Sequence, residues 1–148
     1  MPDTILVPVD GSPLSFDALE VALSEHTDAE IIALHVIDPT EPGYSYPVDL
    51  DPDAEPLHGS DEWMDRAREL ESDLFEDIES TADEHDAAVQ TETSVGDPRR
   101  VIVDYAEREG VDAIVMGSHG REEGARILLG SVTEAVAFRS PVRVTLVR

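Results

Sequence analysis

Residues Ile114–Thr133 read IVMGSHGREEGARILLGSVT, an apolar run that breaks into glycines and then resumes as a helix. Ala113 to Met116 has the unbroken apolarity of a buried strand end. The run stops at Gly117, and further glycines stand at 120, 124 and 130. Gly130 leads directly into Ser131-Val132-Thr133 and an amphipathic helix. Glycines admit close approach of main-chain N–H groups to a ligand, and a helix start adds N–H donors with a favourable dipole, so such a loop suits a phosphate. Ser131 and Thr133 are either hydroxyl donors to that anion or helix caps.

Outward from this stretch, strands and helices alternate. Thr4–Val9 and Ile31–Ile37 read as buried strands, Ala87–Val95 as a more exposed one, and Val111–Met116 and Val142–Val147 as the last two. Helices are expected from Pro13 to about His26, from Ser60 to about His85, from Asp97 to Gly110 and from Gly130 to Arg139. Ser12 and Pro13 suit the first helix start, and Gly110 the third helix stop. Phe16, Leu19, Ala22 and Leu23 form one apolar stripe, and Trp63, Ala67, Leu70, Leu74, Ile78 and Ala82 another. Val101, Ile102, Tyr105 and Ala106 make the inward face of the third helix. The β-α-β-α-β-α-β-α-β order predicts an α/β fold, an open five-stranded parallel sheet with helices on both faces, Rossmann-like, as a single domain over 1–148. Ligands of such sheets sit beyond the strand carboxyl ends, where Asp10, Val36–Asp38 and Gly117 all fall.

The spacing Gly117-x2-Gly120-x9-Gly130-Ser131 resembles the nucleotide-binding signature of the universal stress protein family. MGSHG, LLGSVTE, PVDGS near the start and HVID after the second strand extend the likeness over nearly the whole chain. The resemblance implies an ATP-binding member, with AMP or ADP as alternative ligands and Mg²⁺ as companion ion. It places Pro8, Val9, Asp10 and Val36 around adenine and ribose. The backbone of Met116, Gly117, His119 and Gly120, and of Gly130, Ser131, Val132 and Thr133, would hold ribose and phosphates. It also implies a homodimer paired through the C-terminal strand, which would otherwise be an open sheet edge. Asp10 suits either a ribose hydroxyl or a loop N–H. His119 either flanks the phosphates or is an exposed loop residue, and Arg126, often basic in the family, either serves the ligand or the surface. Glu122 and Glu123 oppose a nearby triphosphate unless a cation or high salt screens them.

Other chemistries find no support. With no Lys in the chain and no GxxxxGK[ST], a Walker-type loop is excluded. No GxGxxG and no GxSxG follow a strand. The histidines never fall at HxxxH spacing, and Asp49, Asp51 and Asp53 lack the Gly and Glu a calcium loop requires. With no base evident near the phosphates, turnover is expected to be slow or absent. A slow ATPase or nucleotidyl-transfer enzyme, and an adaptor that has lost nucleotide binding, are the rival readings.

Composition bounds the rest. The 148 residues carry a net charge of −24, with 34 acidic residues against 10 arginines. That surface repels nucleic acid and anionic membranes. Periodic apolar residues argue against disorder, and adaptation to high salt explains the acidity, because about 1 M salt cuts the Debye length to about 3 Å. The expectation is a halophile's protein. Cysteine is absent, no signal peptide is evident and no run is long enough to span a bilayer, so a cytoplasmic location is expected.

Overall fold

The computed structural model describes residues 2–39, 60–119 and 130–148. Along them run β1 (Thr4–Pro8), α1 (Pro13–Glu25), β2 (Glu30–Ile37), α2 (Asp61–Glu84), β3 (Val89–Val95), α3 (Pro98–Glu109), β4 (Ala113–Gly117), α4 (Ser131–Arg139) and β5 (Arg143–Val147). The strands form one parallel sheet in the order β3-β2-β1-β4-β5.

Local chemistry starts and stops the helices. Ser12 Oγ accepts the Ser15 N–H at 3.2 Å, and Pro13 begins α1 without a donor to waste. Ser60 Oγ accepts the Trp63 N–H at 3.2 Å, with Asp61 and Glu62 in the positive first turn of α2. Asp97 Oδ1 accepts the Arg99 N–H at 3.0 Å ahead of Pro98. Gly110 ends α3 at φ 62°, a left-handed conformation that a side chain would resist.

Alternate residues of the inner strands feed two cores. On one face Ile5 and Val7 of β1 and Val9 just after it, with Ala33 and Val115, pack against Ala18, Leu19 and Ala22 of α1 and Ile78 of α2. On the other, Leu6, Leu34, Val36, Ile114 and Met116 pack against Ile102, Tyr105 and Ala106 of α3 and Val136 of α4. Each fully buried Leu or Ile contributes about 1.5–3 kcal/mol. β2, β1 and β4 are therefore apolar on both sides, whereas the edge strands β3 and β5 are half-open. β3 begins at Val89 rather than Ala87, because the chain is still leaving α2: Asp86 is left-handed (φ 53°) and the Ala87 N–H donates to Ala82.

Tyr105 gives the fold a pH signature. Burial first, then the Glu92 and Glu109 carboxylates, hold its phenol above the ordinary 10.0, with the cation of Arg108 opposing them. A folded pKa above the unfolded one favours the native state below pH ~10, and that stability is lost as pH rises through the folded value. Without lysine, tyrosines dominate titration in that window. Tyr105→Phe should therefore flatten the fall in urea midpoint above pH ~10; an unchanged slope would remove Tyr105 from this role.

Candidate functional site

The strand order reverses between β1 and β4. β1 pairs with β2 as far as Pro8↔Leu34, but with β4 only at Ile5↔Ala113 and Leu6↔Ile114. The Val9 N–H points to β2, donating to the Leu34 carbonyl at 2.9 Å, and on the other side Thr4 accepts from Asp112. Alternation of the ladder therefore turns the Pro8 nitrogen towards β4, where it has no proton to donate. The two strands are unpaired beyond Leu6, and a reversal of strand order in an open parallel sheet leaves a crevice at the strands' carboxyl ends.

Asp10 and Gly117 stand on its two sides. Asp10 is buried, and its Oδ1 accepts the Ser12 N–H at 2.9 Å, the loop role open to it from sequence. Gly117 ends β4 against the first turn of α1. A Cβ there would lie 3.0 Å from Leu14 Cβ and 3.2 Å from its carbonyl carbon, so any side chain would press on the α1 backbone and packing favours glycine.

After β4 the chain is pinned twice. The Ser118 N–H donates to Val147 on β5 at 2.8 Å, and the Ser118 carbonyl accepts the Gly130 N–H at 2.8 Å. This clasp sets the start of α4 beside the end of β4. Thr133 is buried and its hydroxyl donates to the Gly117 carbonyl at 2.9 Å. Thr133 is thus a strut between helix and strand; as a hydroxyl donor to an anion it is already committed, although its amide faces the helix start. Ser131 Oγ accepts from Arg99 at 3.0 Å, so the first residues of α3 and α4 are joined. Gly130 is the N-cap and offers no side-chain cap, in contrast to Ser12, Ser60 and Asp97. The first intrahelical bond runs from the Glu134 N–H to Gly130, so the amides of Ser131, Val132 and Thr133 precede it.

Val9 and Val36 are fully buried, Val36 on the α3–α4 face and Val9 on the other, both at carboxyl ends. His119 is half-buried, its Nδ1 3.5 Å from Ser118 Oγ, the outer limit of a hydrogen bond. Gly120, Arg121, Glu122, Glu123 and Arg126 lie outside the described residues, as do Asp49, Asp51 and Asp53. The sequence reading overlooked Arg99. Its one signal was a cation directly after Asp97-Pro98, at a helix start that only the sheet order brings next to Gly130.

Among the described residues no cluster of three His, Cys, Asp or Glu side chains could hold a metal ion, and no helix is long and apolar enough to cross a membrane. A separate open groove of about 730 Å³ lies at the amino ends of β2 and β3, lined by residues that include His26, Glu30, His85 and Gln90. It is remote from the crevice.

Residues 1–148 match the profile of the universal stress protein family. Universal stress protein MJ0577 of Methanocaldococcus jannaschii is 35% identical over 156 residues, spanning 97% of this chain and 93% of its own. Its structure aligns with a TM-score of 0.80 over 99% of this chain and 96% of that one. A universal stress protein in complex with cAMP shares the fold at 24% identity and a TM-score of 0.68, covering 99% of this chain and 97% of its own. So does an Arabidopsis thaliana family member with AMP bound, at 21% identity and a TM-score of 0.66, covering 98% of this chain and 90% of its own. The chain, whose α4 starts beside the carboxyl end of β4, belongs to the universal stress protein family.

Proposed function

We propose that this chain is a nucleotide-responsive stress or signalling module that binds ATP, with AMP or ADP as alternative ligands and Mg²⁺ beside the phosphates. One observation carries the reading: α4 starts at an N-cap glycine with no side-chain cap, and hydrogen bonds from Gly130 and Thr133 hold that start beside the carboxyl end of β4. A bound anion would satisfy the leading amides of α4 where the other helices use Ser or Asp. In this reading Ser131, Val132 and Thr133 hold phosphate through main-chain N–H groups, with Met116, Gly117, His119 and Gly120 lining the opposite wall. Pro8, Val9, Asp10 and Val36 surround adenine and ribose, with the Asp10 carboxylate accepting from a ribose hydroxyl. The AMP and cAMP complexes of fold relatives supply the ligand class.

The same proposal covers the assembly and its setting. The chain acts as one domain over 1–148 in the cytoplasm of a halophile, and pairs through β5 into a homodimer. β5 is a sheet edge with Leu146 exposed, and Phe138 on α4 is 82% exposed; a second copy paired along β5 would cover Leu146. Asp10 is assigned to ribose and His119 to the wall of the phosphate site, neither to proton transfer, and the module is proposed to bind without strong turnover.

Calorimetry in molar KCl tests the ligand. Wild-type protein should bind Mg-ATP, and Gly130→Val should weaken it by at least about tenfold, since a branched side chain at the N-cap blocks approach to the amides. Retention of full affinity in Gly130→Val would place the nucleotide elsewhere.

A further inference from the structure

We infer that the open edge of β5 is a docking strand for an extended, acidic segment of another polypeptide. The inference is independent of the nucleotide reading, and it gives the edge assigned above to a second copy a competing occupant. Charge supplies its first ground. From Ala135 to Arg148 the chain holds Arg139, Arg143 and Arg148 and no Asp or Glu, although it carries 34 acidic residues in all. The three arginines are exposed, and among the described residues none of their side chains forms an ion pair or a hydrogen bond. Arg99 and Arg108, by contrast, each sit beside a carboxylate. Cations left unpaired amid such an excess of acid complement an acidic partner. The distant acids of the chain oppose that partner, but at about 0.15 M salt the Debye length is about 8 Å, so the arginines in contact outweigh them.

Strand geometry supplies the second ground. Among the described residues β5 ends the sheet, with β4 on its one paired side. The Val147 carbonyl accepts from Ser118 on that side, so alternation turns the main-chain N–H and carbonyl groups of Val144 and Leu146 outwards. Val144 packs with the α3–α4 core and Val147 with the α1 core. Arg143 and Thr145 therefore stand on the α1 face, and Leu146, 36% exposed, on the other. An added strand of alternating acidic and apolar residues would bond the outward groups, set carboxylates beside Arg143 and cover Leu146. A second copy offers the same backbone edge but brings its own Arg143 and Arg148 to it, and like charges across strands oppose pairing.

The test uses the full chain and two short dye-labelled peptides, one alternating valine with glutamate and one alternating valine with glutamine. Fluorescence anisotropy in about 0.15 M KCl should show the glutamate peptide binding about fivefold more tightly. Arg143→Glu should weaken that binding by about tenfold, whereas Arg143→Lys, which keeps the charge, should hold it within about twofold. Leu146→Pro deletes an outward N–H without touching the β4 ladder, and it should also cost about tenfold. Phe138→Ala alters an exposed ring on the side of α4 away from buried Val136 and should leave binding within about twofold. Equal binding of the two peptides, binding of neither, or full binding by Leu146→Pro would overturn the inference. Sedimentation separates it from the homodimer. A wild-type dimer that the glutamate peptide cannot split would keep the homodimer and overturn the docking role, whereas a monomer that binds the peptide would keep the docking role alone.

Discussion

Glu71→Ala should cost the protein about 3–5 kcal/mol, the combined effect of removing the acceptor from a buried hydrogen-bond network and leaving a cavity. Glu71 is 6% exposed and His35 is 3% exposed. His35 Nδ1 donates to Glu71 Oε2 at 2.5 Å, and the Thr93 hydroxyl donates to Oε1 at 2.8 Å. One carboxylate in the middle of α2 therefore ties the helix to β2 and to edge strand β3. The Phe75 ring meets the His35 ring edge-on at 6.5 Å and shields the pair. Truncating Glu71 strands an imidazole N–H and a hydroxyl without their acceptor, and opens a cavity besides. For a chain of this size that corresponds to a melting temperature roughly 6–20 °C lower. The double variant His35→Leu/Glu71→Met, which replaces polar volume with apolar, should return to within about 1–2 kcal/mol of wild type. A Glu71→Ala melt within about 2 °C of wild type would show that the network adds nothing.

Salt should move stability by a comparable amount. α2 carries Asp61, Asp65, Glu69, Asp73 and Asp77, all exposed and each four residues from the next. Residues four apart are neighbours on a helix, and each like-charged pair costs about 0.2–0.5 kcal/mol. The ladder alone then disfavours the native state by roughly 1–2 kcal/mol in dilute buffer. The remaining excess of acidic residues in a −24 chain adds to it. Raising KCl from dilute buffer to about 2 M should lift the melting temperature by about 10 °C. Glu69→Arg turns two repulsive pairs into attractive ones, so it should stabilise in dilute buffer and lose most of that gain in 2 M KCl. Identical melts at both salt levels would contradict the halophile reading.

The fold was legible because its signals are local. Ser12-Pro13, Ser60, Asp97-Pro98 and Gly110 mark helix ends through groups within a turn of each other, and all four hold in the structure. The buried strands are apolar on both faces, which is visible without knowing their order. The misses depend on contacts distant in sequence. Glu71 occupies the same stripe as Ala67 and Ile78, yet among so many acids it reads as surface until His35 is placed opposite it. Arg99 acquires a role only when α3 and α4 start side by side, and Gly117 owes its place to Leu14 on α1 as much as to any ligand. Thr133 reads from sequence as either a hydroxyl donor to an anion or a helix cap, and its hydroxyl braces β4 instead. Gly120 and the acidic pair Glu122-Glu123 fall outside the described residues.

Amide chemical shifts followed during a titration with Mg-ATP in high KCl address the central claim directly. The largest changes should fall on the N–H groups of Ser131, Val132 and Thr133, with Ser118 and His119 next and the groove at His26 and His85 silent. Saturating nucleotide that leaves Ser131, Val132 and Thr133 unmoved, or that perturbs the amino-end groove instead, would show that the start of α4 is no anion cradle.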